Sequence, residues 1–171
     1  MIQITGAATE DLPLIRQLAE IIWPPTFKDI LSEEQMTYML ELMYNLEVLQ
    51  RQAREGHTFL LLYADRHPSG YAHFSAKDEP GIYKLHKLYL LPALQGQGAG
   101  RKLLEGVCAR AQRQGGTLLE LQVNRHNKAK AFYEKMGFTV YRTADIPIGN
   151  GYFMNDFIMR KPLMPEAESN G

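Results

Sequence analysis

Gly96, Gly98 and Gly100 alternate with other residues in the run QGQGAGRK at positions 95–102, between a strand-like and a helix-like segment. Residues without a Cβ let the backbone approach a ligand closely and adopt positive φ. Main-chain N–H groups there, the positive end of a following helix, and the charges of Arg101 and Lys102 could hold an anion such as a pyrophosphate. Taken alone, the glycine spacing leaves two interpretations open, an anion-binding loop and a merely flexible one.

The two common nucleotide-binding fingerprints do not fit this run. When G-x-G-x-x-G is counted from Gly96, its last position falls on Arg101, and the count from Gly98 fails as well. In the pattern G-x-x-x-x-G-K-[ST], the second glycine position is again Arg101, and Leu103 rather than Ser or Thr follows Lys102. We therefore expect neither a Rossmann nor a P-loop nucleotide site here.

Composition narrows the class of protein. The 171 residues suit one domain, and 45% of them are hydrophobic and 22% charged, which is ordinary for a soluble globular chain. The 19 basic residues balance the 19 acidic ones, so no overall positive field recruits nucleic acid. Cys108 is the only cysteine, no signal-like pattern opens the chain, and no apolar run is long enough to span a membrane. These features favour a cytoplasmic protein without nucleic-acid or membrane partners.

The other reactive residue types show no recognisable site spacing. The histidines have no metal-ligand spacing and H-E-x-x-H is absent, so we expect no metal. No G-x-S-x-G elbow is present for a serine hydrolase. Cys108 fits a small packing residue, with a catalytic thiol as the alternative.

Hydrophobic periodicity predicts the elements that would position the glycine loop. We expect a strand at 2–5, a helix from 9 that Pro24 and Pro25 end, and two further helical segments, one capped by Ser32 and one ending at Gly56. Strands follow at 57–65, 69–78 and 82–91, with the turns RHPSG and DEPG between them. A helix at 100–114, a strand at 117–123, a helix at 127–136 and strands at 138–143 and 150–161 complete the order. This order predicts a mixed α/β sheet with helices on both faces, followed by a flexible tail at 162–171.

Two segments of the sequence combine into a recognisable pattern. The first is LYLLPALQGQGAGRKLLEGV at 88–107, where a strand ending in proline precedes Gln-x-x-Gly-x-Gly. The second is LQVNRHNKAKAFYEKMGF at 121–138, where an asparagine-bearing strand end precedes a helix with a tyrosine and then Gly-Phe. In this order, the two segments resemble the motifs of the GCN5-related N-acetyltransferase superfamily. The likeness is specific for this half of the chain and vague for the N-terminal third. It implies one acetyltransferase domain at 2–161 with a mixed, mostly antiparallel sheet.

The resemblance implies acetyl-CoA as the co-substrate. Its pyrophosphate would lie in the loop at 95–101, and its pantetheine arm would pair with a bulged strand at 88–90 whose free N–H groups polarise the thioester carbonyl. Asn127 would contact the co-substrate, although a helix N-cap explains this residue equally well. The implied cofactor-binding residues are Leu88, Tyr89, Leu90, Gln95, Gly96, Gln97, Gly98, Ala99, Gly100, Arg101, Asn124 and Asn127.

Two residues carry the implied chemistry. Tyr133 matches the family tyrosine that acts as general acid toward the departing thiolate, with a core-edge tyrosine on an amphipathic helix as the alternative. Strand alternation places His86 on the same face as Leu88 and Leu90, and its position is similar to that of a histidine in the serotonin N-acetyltransferase branch. His86 is therefore the candidate base for the amine, and a histidine on a solvated strand face is the equal alternative.

Acceptor recognition in the family involves the first two helices and the last strands. Here this implies Trp23, Phe27 and Tyr38 as substrate-binding residues, with plain core packing as the alternative. The resemblance implies an N-acetyltransferase that acts on a small-molecule or peptide amine by direct attack in a ternary complex. A non-catalytic acyl-CoA binding or sensing module stays open as a second function, and a homodimer stays open as the assembly.

Overall fold

The protein is a mixed α/β fold built on one sheet, and the computed structural model describes residues 1–163. The strands are β1 (Ile2–Gly6), β2 (Thr58–Ala64), β3 (His67–Ala76), β4 (Ile82–Leu90), β5 (Leu118–Asn124), β6 (Thr139–Gly149) and β7 (Tyr152–Pro162). The helices are α1 (Leu12–Phe27), α2 (Glu33–Tyr44), α3 (Leu46–Arg54), α4 (Ala99–Arg113) and α5 (Ala129–Lys135).

The seven strands follow the order β1-β2-β3-β4-β5-β7-β6. Strands β4 and β5 run parallel, whereas β1–β2, β2–β3, β5–β7 and β6–β7 run antiparallel. On β2, four consecutive residues from Phe59 to Leu62 are buried, which requires cover on both faces of the strand. The predicted mixed, mostly antiparallel sheet with helices is confirmed.

The described chain forms two compact units. The first unit contains residues Met1–Phe74 and Lys87–Gly106, and the second contains Ser75–His86 and the described chain from Val107 onward. In the first unit, α1, α2 and α3 pack on one another through buried apolar residues such as Ile15, Met39 and Leu49. In the second unit, β7 lies between β5 and β6, and Val107 and Ala111 of α4 are fully buried.

The sequence predicts that Pro24 and Pro25 end the first helix, and this prediction is wrong. Helix α1 continues to Phe27 and contains both prolines. A proline lacks the N–H that would bond four residues back, but the two carbonyls concerned belong to exposed residues, where water can replace the donor. Trp23 and Phe27 are buried on either side with ring centroids 4.8 Å apart. Their packing outweighs a local helix penalty of about 3 kcal/mol per proline.

Most other boundaries agree with the sequence to within a few residues. The Ser32 hydroxyl accepts a hydrogen bond from the Gln35 backbone N–H at 3.1 Å, which confirms the predicted cap of α2. The predicted turn at 66–70 is shorter in the structure, because Asp65 and Arg66 adopt φ of 48° and 71° and β3 already begins at His67.

The predicted tail begins inside the last strand. Pro162 closes β7, and Leu163 is buried and donates its N–H to the Thr117 carbonyl at 2.9 Å. Positions 164–171 of the predicted tail lie outside the described residues. None of the helices within 1–163 has the length and apolar character needed to cross a membrane.

Candidate functional site

The glycine loop of the first unit is open and leads directly into α4. Gly96 and Gly98 have φ of 81° and 80°, and a Cβ placed on either would meet no other atom within 4 Å. The Lys102 N–H bonds to the Gly98 carbonyl at 3.2 Å, which starts the hydrogen-bond ladder of the helix. The N–H groups of Ala99, Gly100 and Arg101 precede that first bond, and such groups have no acceptor within their own helix. This geometry fits an anion placed against the backbone.

The side chains of the loop are engaged with nearby groups. Arg101 donates to Glu105 at 2.9 Å across one helical turn, and the arginine side chain is 71% exposed. Gln97 donates its side-chain amide to the Ala93 carbonyl at 3.0 Å. A surface ion pair of this kind contributes only ~0–1 kcal/mol, so an incoming phosphate can compete for Arg101.

The end of β4 lies unusually close to β3 within the first unit. A Cβ added to Gly70 would be 2.6 Å from Leu90 Cδ2 and 2.8 Å from the Tyr89 carbonyl oxygen. The Leu91 N–H also bonds to the Ser69 carbonyl at 2.8 Å. Only glycine permits this approach, so Gly70 positions the strand end that the family resemblance assigns to the pantetheine arm. Sequence reasoning missed Gly70, which stands alone within a strand pattern.

Two of the three predicted acceptor residues join an aromatic cluster. Trp23 lies 5.8 Å from Tyr89 between ring centroids, and Phe27 lies 6.2 Å from the same ring. Tyr44 and Tyr71 extend the cluster through a hydroxyl–hydroxyl hydrogen bond of 2.6 Å, and burial raises the pKa of both phenols. The structure thus places Trp23 and Phe27 against Tyr89, a predicted co-substrate residue.

Tyr38, the third predicted acceptor residue, lines a shallow surface cavity of about 360 Å³ between α2 and α3. The other lining residues are Glu41, Leu42, Asn45, Glu47, Val48 and Arg51.

Lys87 is a charged residue of the first unit that the sequence did not single out. Only 7% of its surface is exposed, and its Nζ donates to the Met43 carbonyl at 3.0 Å. The same nitrogen lies 4.3 Å from the centroid of the Tyr44 ring and 6.0 Å from that of Phe59. Burial lowers the pKa of Lys87 to about 7.

A histidine pair also lies in the first unit. His57 Nδ1 and His73 Nε2 are 2.7 Å apart, and the His73 ring stacks on Phe59 with centroids separated by 4.1 Å. Burial lowers the pKa of His57. The residues are sixteen positions apart, with His57 directly before β2 and His73 on β3, so no local spacing in the sequence could have revealed the pair.

In the second unit, the candidate base His86 is bonded to a hydroxyl. His86 Nε2 and Ser75 Oγ are 2.7 Å apart, and the imidazole is half-buried on β4. Within this unit, β4 pairs with β5 from the residue pair Ile82 and Leu118 to the residue pair Leu85 and Leu121. The hydroxyl contact can orient the ring and stabilise one tautomer.

The candidate acid Tyr133 is a buried residue of α5. It is 8% exposed, and its ring packs in edge-on contacts against Phe132 and Phe138, with centroids 5.3 Å and 5.6 Å away. Burial raises the pKa of the phenol, so it keeps its proton at neutral pH. A protonated phenol is the form that a general acid requires.

Both predicted asparagines use their side-chain oxygens locally. Asn124 accepts from the His126 N–H at 2.9 Å, and Asn127 accepts from the Ala129 N–H at 2.9 Å. The second bond supports the start of α5, but the N-cap position is Lys128, one residue after the Asn127 that the sequence offered for this role. The two amide NH₂ groups are donors beyond these local bonds, which is the chemistry that co-substrate contacts require.

The sequence of this chain is similar to a known protein family and to individual proteins. The sequence pattern of the acetyltransferase (GNAT) domain family matches residues 27–146. An uncharacterised N-acetyltransferase of Mycobacterium bovis is 36% identical over 96 residues, which make up 56% of this chain and 60% of that protein. The match therefore spans less than two thirds of that relative's length.

Solved structures share the fold over nearly the whole chain. The PaiA N-acetyltransferase of Thermoplasma acidophilum, solved with coenzyme A, has a TM-score of 0.79 at 27% identity and covers 95% of this chain and 99% of its own. The yncA acetyltransferase of Salmonella typhimurium, solved with acetyl-CoA, has a TM-score of 0.67 at 21% identity and covers 98% and 96%. At that lower identity, the second likeness concerns the fold alone.

Proposed function

The chain belongs to the acetyltransferase (GNAT) family, and we propose that it transfers the acetyl group of acetyl-CoA to a primary amine of a small molecule or peptide. The observation that carries this proposal is the open glycine loop, whose positive-φ residues Gly96 and Gly98 stand before the N-terminus of α4. A Cβ would fill the space there, and backbone N–H groups at a helix N-terminus suit a pyrophosphate. The coenzyme A bound to the similar PaiA protein adds support.

The proposed reaction is direct attack of the amine on the thioester within a ternary complex. In this proposal, the loop at 95–101 and the strand end at 88–90 bind and orient acetyl-CoA, with Asn124 and Asn127 as further contacts. The buried phenol of Tyr133 donates a proton to the departing thiolate sulfur. His86, oriented by Ser75, takes a proton from the acceptor nitrogen.

Calorimetric titration with acetyl-CoA tests the binding half of the proposal. We expect the wild-type protein to bind and Gly98→Trp to lose binding, because the indole would occupy the loop in front of α4. Gly115→Trp is the matched control, since Gly115 also has positive φ, 98°, and also has no atom within 4 Å of a Cβ position. Equal loss in both variants would mean that the substitutions disturb the fold rather than a binding loop.

Turnover of an amine panel, read out as released thiol, tests the catalytic half. Tyr133→Phe should keep its affinity for acetyl-CoA and react roughly 10- to 10,000-fold more slowly, the usual effect of losing a proton donor. Tyr141→Phe is the control, because that tyrosine is 56% exposed on β6. Normal turnover in Tyr133→Phe would refute the acid role. Binding without turnover of any amine would favour the acyl-CoA-binding module instead.

A further inference from the structure

Asp156 on β7 is a buried carboxylate with an unsatisfied oxygen. The residue is 2% exposed, and its Oδ2 has no hydrogen-bond partner within residues 1–163. Buried charges in proteins are almost always paired, because leaving one unpaired is strongly destabilising. An orphan oxygen of this kind therefore needs an explanation.

The nearest cations do not satisfy it. Arg125 donates to the Asp145 carboxylate at 2.7 Å, to the Ala144 carbonyl at 3.2 Å and to the backbone carbonyl of Asp156 at 3.4 Å. Lys84 pairs in register with Glu120, whereas Asp156 pairs with Asn124, about 13 Å further along β5 at ~3.3 Å per residue. Burial raises the pKa of Asp156 to about 6, although Arg125 and Lys84 act in the opposite direction.

A second buried carboxylate in the same unit, Glu120, has the ion-pair partners expected of a structural residue. Glu120 is 4% exposed, and its two oxygens accept from Lys77 at 2.6 Å and from Arg160 at 2.9 Å. Both of its oxygens thus have a cationic partner within the protein. Asp156 lacks this arrangement among residues 1–163, which leaves its Oδ2 available to a ligand.

The position of Asp156 points to the acceptor. In the antiparallel ladder of β5 and β7, Asp156 lies directly opposite Asn124, and such pairs share one face with Cβ atoms about 5 Å apart. Asn124 ends β5 and is one of the residues proposed to contact acetyl-CoA. A group bound to Asp156 Oδ2 would therefore lie beside the proposed co-substrate contact of this unit.

We propose that Asp156 binds the ammonium group of the acceptor. This inference rests on the proposed function. An alkylammonium supplies both an N–H donor for Oδ2 and a positive charge for the buried carboxylate. An aromatic amine is neutral at pH 7 and supplies no such charge.

Binding to the coenzyme A-loaded protein tests the inference without requiring turnover. n-Butylammonium is titrated into wild type and Asp156→Asn, each saturated with coenzyme A, and 1-butanol serves as the neutral probe of the same shape. We expect the Kd of n-butylammonium to rise roughly 10- to 100-fold in the variant, the usual effect of losing a charged hydrogen bond, and the alcohol to show no change. Equal affinity of the ammonium for both proteins, or no binding to wild type, would overturn the inference.

Thermal unfolding shows whether the variant is folded, and the wild type provides a second measurement if it is not. Its affinity for n-butylammonium should fall as the pH drops below about 6, because Asp156 takes up a proton while the probe stays charged. The charged groups that act electrostatically on Asp156 are Arg125 and Lys84, with Asp145 bonded to Arg125 and His126 near the end of β5. A pH-independent affinity would contradict the role of Asp156. Loss of coenzyme A binding, by contrast, would contradict the proposed function.

Discussion

Replacing Lys87 by methionine should stabilise the protein at neutral pH. Lys87 is 7% exposed, with the Met43 carbonyl as its hydrogen-bond acceptor and the Tyr44 ring 4.3 Å from its nitrogen. Burial lowers its pKa from 10.5 to about 7. Methionine has a similar length and volume and carries no charge, so it keeps the packing and removes the desolvated ammonium.

The size and pH dependence of the effect follow from that pKa. A drop from 10.5 to about 7 corresponds to about 5 kcal/mol against the charged form. Below pH 7 both folded and unfolded chains hold the proton, so the full cost of burying the charge is present. Between pH 7 and 10.5 only the unfolded chain holds it, so wild-type stability rises with pH by about 1.4 kcal/mol per unit.

The net gain is smaller than this cost. Without Lys87 the Met43 carbonyl loses its donor, which costs about 1–3 kcal/mol. We therefore expect Lys87→Met to raise the free energy of unfolding by about 2–4 kcal/mol at pH 7. The advantage over wild type should shrink by about 2 kcal/mol between pH 7 and pH 9, since Lys87 is already half deprotonated in the folded chain at pH 7.

Urea denaturation of both proteins at several pH values measures this difference. The comparison is best made above pH 7.5, since Lys87 also acts on the nearby His57, whose pKa is lowered mainly by burial. Lys135→Met, which replaces an exposed lysine of α5, is the control for the lysine-to-methionine exchange itself. A constant difference between wild type and Lys87→Met from pH 7 to 9 would refute the reasoning.

Three further substitutions test other parts of the structure by denaturation. Gly70→Ala should destabilise the protein by about 1–3 kcal/mol, because the new methyl group would lie 2.8 Å from a backbone carbonyl, whereas Gly6→Ala has open space and should change little. Tyr44→Phe should cost about 1–3 kcal/mol by leaving the buried Tyr71 hydroxyl without its 2.6 Å partner, and adding Tyr71→Phe should recover part of that loss. Glu120→Gln should cost about 3 kcal/mol, since it removes the charge of a buried carboxylate from two partly buried ion pairs.

Local patterns in the sequence predicted most of the fold. The cap at Ser32, the glycine at the end of α3 and the order of strands and helices depend on neighbouring residues, so they can be read from the chain. The path of α1 through Pro24 and Pro25 could not be read in this way. It depends on the burial of Trp23 and Phe27, which residues distant in sequence provide.

The candidate site likewise contains features that the sequence predicts and features that depend on distant neighbours. The loop around Gly98 was predictable because the residue type itself reports the backbone conformation, and φ is indeed positive there. The close approach at Gly70 and the burial of Lys87 were not predictable from the sequence, since each is defined by its neighbours on other strands. Strand alternation assigns a residue to a face of the sheet, but it does not show what covers that face.

Two buried carboxylates illustrate that burial alone does not distinguish a structural residue from a ligand-binding one. Burial would raise the pKa of Glu120, yet its bonds from Lys77 and Arg160 lower it overall, so this carboxylate is a closed structural unit. Asp156 is more deeply buried but keeps one oxygen unbonded, and its pKa stays raised. Neutralising Glu120 must destabilise the fold, because Lys77 and Arg160 then lose their ionic partner. Neutralising Asp156 removes the energetic cost of burying an unpaired charge in the unliganded protein. A gain in stability with a loss of ammonium affinity in Asp156→Asn is thus the combination that only a ligand-binding carboxylate explains.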